Sequence, residues 1–142
     1  MSAYTDQDLI QILHDFGVKV TSYRLELLRY MSKSKLPIPA SKIIEIMKRK
    51  FDMNQATVYR GLKVLMEAQV LSVIEINKIS HYEMNFGEST VLIACSHCGA
   101  MDRISKVSLD DIIKKTARYS KKFANISSLN LQVYGICKNC QK

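Results

Sequence analysis

Apolar residues recur every three to four positions up to about residue 68, then every two, so a helical first half gives way to strands. Residues 5 to 16 are expected to form a helix, with Leu9, Ile12, Leu13 and Phe16 on one face, Thr5 as its cap and Gly17 as its end. Asp6 and Asp8 suit the positive end of its dipole. Thr21 or Ser22 opens a second helix carrying Leu25, Leu28 and Met31, and Pro37 and Pro39 then break the pattern. A third helix begins near Ala40 and buries Ile43, Ile44, Met47 and Phe51. Asn54 caps a fourth, residues 55 to 68, with the stripe Val58, Leu62 and Leu65.

Two short β-rich runs follow, "LSVIEI" and "ISHYEM", joined by Asn77 and Lys78, which predicts a β-hairpin. Helices followed at once by such a hairpin form the winged variant of the helix-turn-helix. The polar stretch "NFGES" then marks a hinge. Beyond it the pattern predicts a strand (91 to 95), a Cys-x-x-Cys turn, a strand (100 to 104), a helix capped by Ser108 with Leu109, Ile112, Ile113 and Thr116 on one face, and a last strand, "LNLQVYGI". The expected fold class is α+β: a winged helix over residues 1 to 84, a hinge at 85 to 90, and a small α/β unit over 91 to 142.

Charge narrows the class of partner. The chain of 142 residues has a formal net charge of +8, which favours a polyanion. Residues 1 to 90 hold 12 Lys and Arg against 10 Asp and Glu, whereas residues 91 to 142 hold 9 against 3. The surplus therefore sits away from the winged helix, and a nucleic-acid reading needs a motif as well as charge. The first residues resemble no export signal and no apolar run approaches the ~18 residues of a membrane span. A soluble, cytoplasmic protein is expected.

The cysteines supply the sharpest chemistry. Cys95, Cys98, Cys137 and Cys140 form two Cys-x-x-Cys turns, each able to aim two thiolates at one point. Together they make a four-sulfur tetrahedral site for one structural Zn²⁺ per chain, with no position left open for catalysis. Disulfides are disfavoured without an export signal, and a thioredoxin-like pair is disfavoured because no βαβ pattern surrounds either motif. His97, inside the first turn, reads as an exposed turn residue. The three histidines, His14, His81 and His97, are scattered, no nucleophile has a recognisable partner, and there is no glycine-rich phosphate loop. Neither an enzyme nor a small-molecule substrate is indicated.

On the fourth helix, Ala56, Arg60, Lys63 and Glu67 face away from the apolar stripe, with Thr57 and Tyr59 on its flanks. Arg60 has the geometry to grip a guanine edge, and Thr57 and Tyr59 can meet thymine methyls or phosphates of double-stranded DNA.

The runs "GVKVTSYRLELL", "ATVYRGLKVLMEAQVL", "HYE", "CSHCG" and "YGICKNC" together resemble the ferric uptake regulator (Fur) family in order and spacing, over residues of about 5 to 140. The resemblance implies a bacterial homodimeric repressor that binds an inverted repeat, with a winged helix at the N-terminus and a zinc-holding dimerisation unit at the C-terminus. It also implies that Tyr59 and Arg60 read the major groove, Lys19 enters the minor groove, and Arg24 contacts phosphate.

The departures are informative. Fur-like sensors carry a histidine-rich segment between the wing and the first cysteine, yet residues 84 to 94 here are "MNFGESTVLIA". By resemblance, three further ligand positions of the family fall near Pro37, Arg103 and Leu129, none a ligand for a transition metal. Glu83 matches a family ligand position, Asp110 approximately matches another, and Glu88 stands where a histidine would be. Metal sensing is therefore expected to be atypical or absent, with His81, Glu83 and Glu88 as one possible weak second metal site and a surface polar pair on the wing as the competing reading. An alternative function is a thiol-based redox or peroxide-responsive regulator that uses the four-cysteine site.

Overall fold

The structure is a computed structural model describing residues 4–85, 90–105, 108–126, 129 and 131–142. The chain divides into two compact units, Met1–Phe86 and Gly87–Lys142.

In the first unit, α1 (Asp6–Asp15) starts in a reciprocal cap, with the Asp8 amide donating to Thr5 Oγ1 at 3.2 Å and the Thr5 amide to Asp8 Oδ2 at 2.7 Å. It ends as the sequence predicts at Gly17, whose φ of 69° places it in the left-handed region. The amides of Gly17 and Val18 donate back to the carbonyls of His14 and Leu13, closing the terminal turn. Helix α2 (Ser22–Ser32) is capped by the Thr21 side chain, and α4 (Gln55–Glu67) by Asn54 Oδ1, which accepts from the Thr57 amide at 2.9 Å. Between them lie the short strand β1 (Ile38–Pro39) and α3 (Ala40–Phe51).

Strands β2 (Leu71–Ile76) and β3 (Ile79–Met84) form the expected hairpin. Its two turn residues, Asn77 at φ 51° and Lys78 at φ 64°, are both left-handed, the geometry that matches strand twist without requiring glycine. Strand β1 completes a sheet of order β1-β3-β2, pairing Ile38 with Tyr82 and Pro39 with His81. The proline pair that breaks the helical pattern thus brackets an edge strand, where proline costs no central ladder bond.

Leu9, Leu13, Leu28, Ile43, Met47, Val58, Leu62, Leu65 and Tyr82 belong to one continuous core. Two details depart from the periodicity. Leu27 is buried in α2 where Leu25 was expected, and Phe16 and Phe51, at helix ends, stay exposed at 40% and 36%. A residue at a helix terminus has one fewer turn beside it to exclude water.

The second unit is a sheet of order β5-β4-β6, built from β4 (Val91–Cys95), β5 (Met101–Ile104) and β6 (Leu131–Gly135), with α5 (Asp110–Tyr119) between the last two in sequence. Strands β4 and β5 are antiparallel, whereas β4 and β6 are parallel. Ser108 does not cap α5. Leu109 occupies the cap position and is buried, and no side chain bonds the first turn. Burying leucine contributes about 1.5–3 kcal/mol against about 1 kcal/mol for a cap oxygen, while Asp110 and Asp111 still answer the helix dipole. Residues 86–89, in the expected hinge, lie outside the described residues. Among the described residues no helix is long and apolar enough to cross a membrane.

Candidate metal centre and nucleic-acid interface

The parallel pairing of β4 with β6 assembles the sulfur cluster. Its register sets Cys95 opposite Gly135, two residues before Cys137, so the ends of both strands deliver their Cys-x-x-Cys turns to one place. The Ser96 amide and hydroxyl both donate to the Gly135 carbonyl, at 2.9 and 3.2 Å, fastening one turn to the strand that leads into the other. Gly99, at φ 76°, closes the first turn by donating to the Cys95 carbonyl, and the Cys140 amide closes the second by donating to the Cys137 carbonyl at 3.0 Å.

All four Sγ atoms lie within 4.8 Å of one another. The Cys98 and Cys137 sulfurs are 3.7 Å apart. That is far beyond a disulfide bond and matches the tetrahedron edge of about 3.8 Å that zinc–sulfur bonds of ~2.3 Å produce. Cys95 is buried and Cys98 exposed, and the other two are intermediate.

The electrostatics fit thiolate ligation. The backbone amides of Cys137 and then Cys98 direct N–H groups at Cys95 and hold its thiol down to about 6, with that of Cys137 donating at 3.4 Å. Hydrogen bonding to the sulfurs of Cys137 and Cys98 pushes the Cys140 thiol up to about 12. Four sulfurs this close share protons unevenly, and a dication is what lets all four be thiolates together. The donor set fits a soft tetrahedral ion. His97 is exposed and stands outside this set.

Helix α4 supplies the second candidate surface. Tyr59 is 41% exposed and Arg60 is exposed beside it, its Nε donating to the Ala56 carbonyl at 3.4 Å. Thr57 is less free, because its hydroxyl donates to Asn54 Oδ1 at 2.9 Å and so reinforces the cap. Lys19 is exposed before α2. Arg24 is half-buried: its Nη1 donates to the Lys19 carbonyl at 2.8 Å and its guanidinium carbon lies 5.6 Å from the Tyr23 ring centre. This tether, which periodicity does not reveal, joins two of the residues expected at the DNA.

The possible second metal site does not assemble among the described residues. His81 and Glu83 share a face of β3, but His81 is only 8% exposed, and its Nδ1 donates to the Ile79 carbonyl at 2.9 Å. It is a buried, hydrogen-bonded histidine rather than half of a surface pair. Glu88 lies outside the described residues. Among the described residues, the sulfur cluster is the group of three or more ligand-type side chains close enough to hold an ion. At the position where resemblance places an acidic ligand, Arg103 Nη1 donates to the hydroxyl of the buried Thr90 at 2.8 Å.

Comparison with known proteins gives the arrangement its context. Over 144 aligned residues the chain is 28% identical to the peroxide operon regulator of Bacillus subtilis, covering 100% of this chain and 97% of that protein. The solved ferric uptake regulator of Helicobacter pylori has the same fold, with a TM-score of 0.76 at 21% identity over 100% of this chain and 98% of that one. That of Francisella tularensis, solved with iron, gives 0.67 at 27% identity over 89% of this chain and 97% of its own. The sequence profile of the ferric uptake regulator family matches residues 15–134, and by that match the protein belongs to the ferric uptake regulator family.

Proposed function

We propose that the protein is a homodimeric transcriptional repressor that binds an inverted repeat in double-stranded DNA and acts in the bacterial cytoplasm. The observation that carries this reading is α4: Tyr59 and Arg60 stand exposed on a capped helix directly followed by a three-stranded wing, in a chain of a regulator family. Cys95, Cys98, Cys137 and Cys140 hold one Zn²⁺ per chain as a closed, structural site. Tyr59, Arg60 and Thr57 face base edges or flanking phosphates in the major groove, while Lys19 and Arg24 anchor the neighbouring backbone and minor groove.

The family's usual transition-metal switch is absent in this reading. Arg103 puts a fixed positive charge, held by Thr90, where an acidic ligand would stand, and a guanidinium repels a divalent ion. Operator affinity is therefore expected to stay constant when manganese or iron is titrated into the zinc-loaded protein.

The testing experiment is a binding isotherm against an inverted-repeat duplex selected from random DNA, repeated across salt. Arg60→Ala is expected to cost roughly 1–3 kcal/mol and relax the preference at one base pair. Arg24→Ala is expected to weaken all duplexes alike and to flatten the salt slope. Full operator affinity in Arg60→Ala would refute the groove assignment.

A second reading draws on the name of the Bacillus subtilis relative, a peroxide operon regulator. Peroxide would oxidise two of the clustered thiolates to a disulfide, itself reduced to water, and the ion would leave. Stoichiometric zinc release under mild peroxide, with loss of DNA binding, would favour this reading over a purely structural site.

A further inference from the structure

Gly61 occupies the interior of α4, immediately after Arg60, and is buried. Glycine there costs about 1 kcal/mol relative to alanine, so its presence calls for a steric reason. The reason is Tyr23, in the first turn of α2. A Cβ added at Gly61 would stand 2.8 Å from the Tyr23 hydroxyl oxygen, 2.9 Å from Cε2 and 3.3 Å from Cζ. The tyrosine ring therefore rests in a notch that only a residue without a side chain leaves open.

The contact does more than fill space. Tyr23 packs against the core, its ring lies beside the Arg24 guanidinium, and Arg24 in turn holds the Lys19 carbonyl. A continuous line of contacts therefore runs from Lys19 through Arg24 and Tyr23 to Gly61, and ends one residue from Arg60. Among the described residues Arg24 Nε is buried with no partner, so the guanidinium is held in this line at the expense of one unmade bond there.

Resting on the DNA-binding reading above, we propose that the Tyr23–Gly61 contact is a positioning device that sets the spacing between the Lys19–Arg24 segment and the reading face of α4. Sequence is read by side chains that reach specific base edges, whereas phosphate contacts carry no sequence information directly. The device therefore governs sequence discrimination and leaves general affinity for DNA alone. Tyr23 and Gly61 are positioning residues and touch no base themselves.

The test uses full-length, zinc-loaded protein and two probes: the inverted-repeat duplex that the wild-type protein enriches from a random-sequence pool, and a random duplex of equal length. Gly61→Ala is expected to lower the ratio of the two affinities about tenfold, roughly the discrimination of one base contact, with random-duplex affinity and salt slope unchanged. Tyr23→Leu alone, which empties the notch, is expected to lower the ratio as well. Combining Gly61→Ala with Tyr23→Leu fits a methyl group into the vacated space and is expected to restore the ratio. Circular dichroism melts check that each variant is folded. An unchanged ratio in Gly61→Ala or in Tyr23→Leu, or no recovery in the double variant, would overturn the positioning role while leaving the DNA-binding reading intact. A wild-type protein that enriches no duplex would overturn both.

Discussion

The two units of this chain reach stability by opposite means. The first closes around a continuous apolar core to which α1, α2, β1, α3, α4, β2 and β3 all contribute. In the second, among the described residues, Val91, Leu92, Ala94, Cys95 and Leu109 are the buried apolar side chains, and α5 buries none. Its strand β6 is exposed along most of its length. Apolar burial contributes roughly 25 cal/mol per Å², so a unit with this little of it needs another fastening. In the proposed zinc-loaded state the sulfur cluster is that fastening, and it sits where β4 and β6, far apart in sequence, end side by side.

The contrast can be broken most severely at the sulfurs. Stripping the ion with a chelator, or replacing Cys95 with Ala, is expected to unfold the second unit selectively, since structural zinc is worth about 10 kcal/mol or more of folding free energy. Hydrogen exchange should show α5 and β6 losing protection while α1 to α4 keep theirs. Equal loss in both units would mean that the cluster supports the whole chain.

Leu62→Ala attacks the other side of the comparison. Leu62 is fully buried in the core of the first unit, and its truncation is expected to cost about 2–5 kcal/mol in urea unfolding followed by signals from that unit. Zinc content should be unaffected.

A smaller effect concerns acid. Glu26 in α2 pairs with Lys50 of α3 and with Arg29, and these partners, Lys50 foremost, hold its carboxyl below the usual glutamate range. A carboxylate whose folded pKa is depressed contributes stability that is complete above the unfolded value of 4.5 and is lost as pH falls through the lower folded value. Acid titration of unfolding should thus show the first unit weakening below about pH 4.5, and Glu26→Gln should flatten that dependence. With the pair partly solvent-exposed, the gain at neutral pH is at most about 1 kcal/mol.

The smallest predicted change is a gain. Lys78 holds a left-handed backbone at the hairpin tip, which costs a side chain about 1 kcal/mol and glycine little. Lys78→Gly is expected to raise the melting temperature of the first unit by a few degrees, as measured calorimetrically, and to leave the second unit untouched.

Local chemistry carried much of this molecule into view before any coordinates. Thr5, Thr21 and Asn54 announce helix starts because capping is a contact between residues three apart. Val58, Leu62 and Leu65 declare their face through period alone, and paired cysteines two residues apart advertise ligand geometry within a single turn. These features are set within a few residues of chain, so the sequence by itself determined them, along with the order of the helices and of the strands after α4 and the soft-metal character of the donor set.

What only the tertiary structure decided is non-local. The pairing of Ile38–Pro39 with β3 and the parallel alignment of β4 with β6 join segments whose separation leaves no periodic signal. Leu109 displaced Ser108 at the helix start because the core beneath it, absent from any local window, favoured burial over a cap. His81 reads as a surface residue in an alternating strand, yet it is buried where β3 lies between β1 and β2. The seat of Tyr23 on Gly61 is of the same kind, since a glycine shows in the sequence but the ring that requires it is 38 residues away and meets it only when α2 and α4 pack.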